Sequence, residues 1–358
     1  MGIGRNISMF LLGILVLSIA PFTLGQSDCR SGESRFGVVE PLGWTGLYPP
    51  ERMTQALDIM ADAGIGWVRL NWAWKDMQPQ DGPFDYSHYD LIAALATERG
   101  IEVLPILFAV PAWASTAPPE LIAERGNLSP VDRYRPQDVN TWLTYVRNVV
   151  ERYDGDGAED APGSPRLHYW EVWNEQNIRL YWPPAPDVQE YVALLEVTHD
   201  AIMAADPTAT VVLGGLAGGD LGYLQDMYDS GGAPYFDVVS THVYSHPMFG
   251  IAPVQASVEA MRAVMDANGD EATPLWLTEI GWSDTPNAWG APTASKDEIA
   301  AFVTALYTAP LASEVIFWYN FRNIFADSPD VEHNFGLLEA DFTPKPAFEA
   351  YISLSQNC

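Results

Sequence analysis

The sequence predicts an α/β fold, a single-domain (β/α)8 TIM barrel, and three observations carry that prediction. Apolar, β-branched runs alternate with amphipathic stretches eight times along the chain. The runs are nearly continuous in hydrophobicity, as strands covered on both faces by helices are. Beyond an apolar N-terminal run, the remaining chain has the size of one barrel, with no low-complexity linker or repeat to divide it.

The elements follow in order. The first strand is Phe36–Val39, and its helix Glu51–Ala63 stops at Gly64. The second strand, Trp67–Trp72, leads to a helix near Tyr86–Arg99 that stops at Gly100. The third, Glu102–Phe108, runs into a Pro- and Trp-rich loop and a helix near Pro136–Tyr153. The fourth lies in His168-Tyr169-Trp170-Glu171-Val172-Trp173-Asn174-Glu175, and a helix near Val188–Ala205 ends at Asp206-Pro207. Thr210–Gly214, Phe236–His242, Leu275–Ile280 and Val315–Tyr319 are the remaining strands. Their helices lie near Leu221–Asp229, Val254–Asn268, Ser295–Thr308 and Pro346–Leu354. Asp154-Gly155-Asp156-Gly157 has the look of a calcium loop without its full ligand spacing, and is read as a solvated acidic turn.

Arg5 followed by the apolar run Met9–Phe22 reads as an export leader, with small residues Thr23 and Gly25 before a cleavage point. Residues 1–25 are therefore expected to be a signal peptide and 26–358 the barrel of a secreted monomer, free of the membrane once the leader is removed. The run is short for a membrane span. Cys29 and Cys358 stand at opposite ends of that domain, and the ends of a barrel meet on its bottom face, so a disulfide between them is expected. A formal charge of −29 excludes nucleic acid as a partner and disfavours anionic polysaccharide.

In a barrel, chemistry sits just past the C-terminal ends of strands. Glu175 closes the fourth strand among tryptophans, where desolvation suits a carboxyl to donate a proton. Glu279 closes the seventh, across the barrel, so the two can face each other over a bound sugar. Arg69, near the end of the second strand, is costly to bury without a carboxylate. Pairing it with Glu279 would keep that residue ionised, as a nucleophile requires. The period of two puts His242 and Tyr244 on one face of the sixth strand, Tyr244 within reach of Glu279 and His242 able to orient a carboxyl or a hydroxyl. Asn174 suits a sugar hydroxyl. Aromatic planes stack on pyranose faces, and Trp318, ending the eighth strand, is the expected sugar floor, with Trp282 and Trp113 as further candidates. No lysine falls at a strand end, which argues against Schiff-base chemistry, and neither a metal nor an organic cofactor is required.

Trp173-Asn174-Glu175-Gln176-Asn177 followed by Tyr181-Trp182, then His242-Val243-Tyr244 and Thr278-Glu279, resembles glycoside hydrolase clan A, family 39-like with family 5 as a near neighbour. Arg69, Pro105 and Gly214-Gly215 fit the same pattern; Gln176 stands where the family usually has Pro, and Glu279-Ile280-Gly281-Trp282 is also similar to family 17 glucanases. The resemblance implies a retaining mechanism, with Glu175 as acid/base and Glu279 as nucleophile, on a β-linked neutral polysaccharide or oligosaccharide. The tryptophans favour an open cleft and endo action; an exo-glycosidase of the xylosidase or glucosidase type and a non-catalytic glycan-binding barrel are the alternatives.

Overall fold

The computed structural model describes Met1 and residues 34–356. The expected leader and the Cys29–Cys358 pairing lie outside those residues. Among the described residues nine parallel strands form the sheet: β1 (Phe36–Val39), β2 (Trp67–Ala73), β3 (Glu102–Phe108), β4 (Tyr169–Val172), β5 (Thr210–Leu213), β6 (Leu216–Ala217), β7 (Val239–His242), β8 (Leu275–Ile280) and β9 (Ile316–Tyr319). Their order is β5-β4-β3-β2-β1-β9-β8-β7-β6. The ends meet where Val212 bridges Val238 and Leu213 N donates to Val238 O at 2.9 Å.

The count of nine conceals an eightfold barrel. β5 is the predicted fifth strand, and β6, beyond the predicted end at Gly214, continues its course after Gly214-Gly215, β5 pairing with β4 and β6 with β7. The seventh and eighth predicted strands are therefore β8 and β9. The sixth is shorter than expected and pairs regularly only from Val239.

The helices are α1 (Pro50–Asp62), α2 (Trp74–Met77), α3 (Ser87–Glu98), α4 (Pro119–Arg125), α5 (Val139–Arg152), α6 (Val188–Ala205), α7 (Leu221–Asp229), α8 (Ala252–Ala267), α9 (Lys296–Thr308) and α10 (Pro346–Ser355). The sequence left the short α2 and α4 inside loops; neither has the length for an apolar period to show. Asp138, Asp187 and Asp220 cap α5, α6 and α7 with side-chain oxygens, and Ser295 with Glu298 forms a reciprocal cap on α9. No described helix is long and apolar enough to cross a membrane.

Inside the barrel, alternate residues stack in layers. Trp67, Leu104, Val212, Val238, Trp276, Val315 and Phe317 plug the lower half, and Val39 packs on them and lines the cavity above. Trp67 meets Tyr169, Trp276 and Phe317 edge-on, with ring centres 4.8, 5.2 and 6.2 Å apart. Two residues further along the same strands come Arg69 and Glu171, both buried, and then the rim. The plug keeps water out of the floor on which those charges rest.

Candidate active site

Strict alternation would turn Glu279 outward, since Trp276 and Thr278 face the interior. A register shift prevents this: Thr241 pairs with Leu277 but His242 with Glu279, so β8 carries one extra residue and Glu279 is re-aimed into the barrel. On the opposite wall the chain leaves β4 with Trp173 and Glu175 both in left-handed backbone, φ 73° and 48°. That conformation is costly for residues with side chains and persists where surroundings impose it. Here Trp173 N donates to Leu107 O at 3.1 Å and Glu175 N to Gly215 O at 3.0 Å.

The break between β5 and β6 is what lets these groups converge. A Cβ on Gly214 would meet Gln176 Oε1 and Val172 O at 2.5 Å, and one on Gly215 would collide with the His242 ring and lie 2.8 Å from Thr278 Oγ1. With no side chain there, Gly215 N donates to Glu171 Oε1 at 2.9 Å and Gln176 Nε2 to Gly214 O at 2.8 Å. Gly215→Ala is thus expected to push His242 off the carboxyl it holds. Displacements of about 1 Å cost on the order of 100-fold in rate. A variant with that loss in kcat, near-normal KM and an unfolding midpoint within a few degrees of wild type is the expected result; unchanged kcat would sink the argument.

Arg69 ties the two walls together. Its Nε and Nη2 donate to Glu171 Oε2 and Oε1 at 2.6 and 2.9 Å, Nη2 also to Asn174 Oδ1 at 2.8 Å, and Nη1 to Glu279 Oε1 at 2.7 Å. Burial works against the guanidinium's charge, but Glu171 and then Glu279 outweigh it and raise the pKa above the ordinary arginine value. Tyr244 donates to Glu279 Oε2 at 2.7 Å, and His242 Nδ1 lies 2.8 Å from Glu175 Oε1 and 3.5 Å from Glu279 Oε2. Burial alone would raise Glu279. The charges of His242 and Arg69 and the hydrogen bonds from Tyr244 and Arg69 prevail, holding its carboxyl below the usual glutamate range. Burial, then the Glu279 charge, pushes the Tyr244 phenol well above its ordinary value, so it stays a donor.

Glu175, Glu279, Arg69, Asn174 and Tyr244 open on one cavity of about 730 Å³, with His242 fully buried directly beneath. One oxygen of Glu175 and one of Glu279 lie within 4.8 Å of each other and of His242 Nδ1. Two carboxyls so placed can work on one bond from both sides, one ionised and one delivering a proton. The same three residues have the spacing of a metal site, yet Arg69 and Tyr244 already occupy the Glu279 oxygens and a cation would sit beside the guanidinium. The donor set does not fit a metal.

Three expected sugar contacts fall elsewhere. Trp318 is fully buried on the outer face of β9, its ring 6.4 Å from that of Phe302 on α9 and its Nε1 bonded to Phe335 O at 3.2 Å. The inward parity of that strand belongs to Phe317 and Tyr319, and Tyr319 lines the cavity. Trp282 is also buried, behind the rim, with ring centres 4.7 Å from His246 and 5.2 Å from Trp289. Trp113 packs against Trp74 and donates to Gln78 O at 3.0 Å, away from the cavity. The aromatic rings on the cavity wall are instead Trp44, Phe108, Tyr181, Tyr244, Trp289, Tyr319 and Phe335; Trp44 and Trp289 are about half exposed.

Several groups went unnoticed in the sequence. Glu171 had a signal: a glutamate and an arginine each inside a buried strand require one another. Glu332, in a short turn after β9, lines the cavity, and burial followed by the charges of Glu279, Asp330 and Glu175 raises its pKa. Glu40, at the end of β1, is raised by burial to about 7, against the opposing pull of Arg322 and the Tyr48 hydroxyl. Glu332 depends on a loop whose course no spacing announces, whereas Glu40 stands one residue past β1, a strand-end position like those of the reacting pair.

The chain is similar to known proteins. The profile of a family described as β-galactosidase, glycoside hydrolase family 42, matches residues 45–204. A β-xylosidase of Geobacillus stearothermophilus is 27% identical over 258 residues, 63% of this chain and 47% of that protein. The chain thus spans about half the length of that relative. Among solved structures, a family 39 glycoside hydrolase from Bacteroides cellulosilyticus WH2 superposes with a TM-score of 0.67 at 23% identity, covering 92% of this chain and 64% of its own. A monomeric β-xylosidase from Caulobacter crescentus CB15 superposes with a TM-score of 0.69 at 21% identity, covering 89% and 67%. The chain is thus similar in sequence and fold to glycoside hydrolases of clan A, those of family 39 among them.

Proposed function

We propose that the protein is a retaining β-glycoside hydrolase acting on neutral β-linked saccharides. In the first step a Glu279 oxygen attacks the anomeric carbon as Glu175 gives its proton to the departing glycosidic oxygen. In the second, Glu175 takes a proton from water, whose oxygen displaces Glu279 and frees the sugar with its configuration retained. Arg69 and Tyr244 hold Glu279 charged and aimed, and His242 holds Glu175.

The observation that carries this reading is the carboxyl pair, from opposite walls and with oxygens within 4.8 Å. Retaining enzymes keep their carboxyls about 5–5.5 Å apart, and inverting ones about 6.5–9.5 Å to admit a water. Because Glu279 is held below the usual range, the acid limb of the pH–rate profile is expected below the ordinary glutamate value.

The test is a panel of 2-deoxy-2-fluoro β-xyloside, β-galactoside and β-glucoside with activated leaving groups, followed by intact-mass measurement and peptide mapping. The kinship to proteins named β-xylosidase and β-galactosidase puts the first two sugars foremost. A glycosyl adduct on Glu279, formed fastest with one member, is the expected outcome. An adduct on another residue, or hydrolysis with inverted product configuration, would overturn the mechanism. Silence across the panel and on polysaccharides would favour a glycan-binding barrel.

A further inference from the structure

We infer that a second cavity beside the carboxyl pair is a distal subsite for further neutral sugar units of the same chain. This inference rests on the glycosidase reading and extends it from the bond cleaved to the length of substrate held.

The second cavity, about 680 Å³, adjoins the first and shares Pro41, Trp44 and Asn71 with it. That volume falls within the range of about 300–1,000 Å³ in which ligand sites lie. Neither carboxyl of the reacting pair reaches it; its walls come from the loops after β1, β2 and β3. A linear saccharide with one unit at Glu175 and Glu279 can therefore continue into it past Trp44.

Trp44 stands where the two spaces join. The residue is 49% exposed, and its ring is held edge-on by Phe325, with ring centres 5.9 Å apart at 87°. A half-exposed, propped tryptophan between two cavities of mixed polar and apolar lining is a stacking plane for a pyranose ring passing between them.

The far wall carries hydroxyl-binding groups with a particular charge balance. Lys75 Nζ bonds Asp132 Oδ2 at 2.5 Å, and Ser129 Oγ bonds Asp132 Oδ1 at 2.8 Å. An ammonium has three donors, and this ion pair uses one. Asp76 lies on the same wall, and Asn71 at the junction is exposed. One cation set against two carboxylates gives an acidic sugar no net attraction, whereas neutral hydroxyls find both donors and acceptors. Lys75 is one of three lysines in the chain. Its place on this wall is not that of a solubilising surface charge.

The experiment compares β-1,4-linked xylo- and cello-oligosaccharides of two to five units with the matching aryl monoglycoside, in wild type, Lys75→Met and Thr45→Trp. Thr45 is exposed and lines only the second cavity, so the added ring fills that space without touching the core. For wild type, kcat/KM is expected to climb about tenfold or more between two and four units, one tenfold step being 1.4 kcal/mol of added contact. Both variants flatten the climb and leave the aryl monoglycoside rate within about twofold, since neither residue touches the reacting pair. Titration calorimetry of the four-unit oligosaccharides into Glu279→Gln reads the same cavity without turnover. Loss of affinity on adding Thr45→Trp supports the subsite even if no hydrolysis is found. A wild-type rate independent of chain length, or equal losses on the aryl monoglycoside and the oligosaccharides, would overturn it.

Discussion

Glu279→Gly is expected to lower kcat on an aryl β-glycoside by about 10⁵-fold, or roughly 7 kcal/mol in the barrier, without unfolding the protein. The size follows from the role: with the nucleophile gone, no covalent intermediate forms, and positioning with proton transfer from Glu175 is all that remains. The fold is expected to survive because Arg69 retains Glu171 and Asn174 as partners. Added azide should restore turnover, since a small anion fits the space left by the carboxyl and can attack the anomeric carbon from the same face. The product would then be the α-glycosyl azide, with configuration inverted because a single displacement replaces two. NMR of the product decides the point. A variant keeping more than about 1% of its activity, or an azide product of β configuration, would remove Glu279 from the nucleophile's role.

The largest expected effect on stability is that of Arg69→Met. Methionine fills much of the stem's volume but leaves Glu171, fully buried, and Glu279 without their cation. Removing one partner from a buried ion pair costs about 3–5 kcal/mol. Urea unfolding at pH 7 should show that loss at an unchanged m-value.

The pH dependence supplies a sharper check. In wild type the folded-state pKa of Glu279 is depressed, so its contribution to stability is present above the unfolded value and lost as pH falls through the folded one. Without Arg69 the opposing burial gains weight and that pKa rises. Acidification from pH 7 toward 5 should therefore narrow the stability gap between variant and wild type, and the acid limb of any residual activity should move to higher pH. A gap that stays constant with pH would mean that Arg69 acts through packing alone.

How much of this was legible beforehand differs by residue. Glu175 and Glu279 were visible because carboxyls at the ends of apolar strands have no reason to be there other than the rim. Arg69 was visible because a guanidinium inside a strand demands a partner, although the sequence named only one of its two. Tyr244 followed from the period of two. The sugar-contacting aromatics were misjudged: Trp318 was taken as the sugar floor near the end of the eighth strand, but Phe317 and Tyr319 hold the inward parity of β9 and Trp318 faces α9.

The sequence by itself determined the barrel, its element order, and the arrival of the carboxyls, an arginine and a tyrosine at one rim, because hydrophobic period and the cost of burying charge act locally along the chain. Only the tertiary structure decided which way each rim residue faces and which rings meet a ligand. The extra residue in β8 that turns Glu279 inward is a property of its pairing with β7. The separation of β5 from β6 at two glycines answers to atoms of His242, Thr278 and Gln176, distant in sequence. Trp44, Trp289 and Glu332 reach the cavity on loops whose course no periodicity records. Local forces choose the elements; contacts between elements choose the faces.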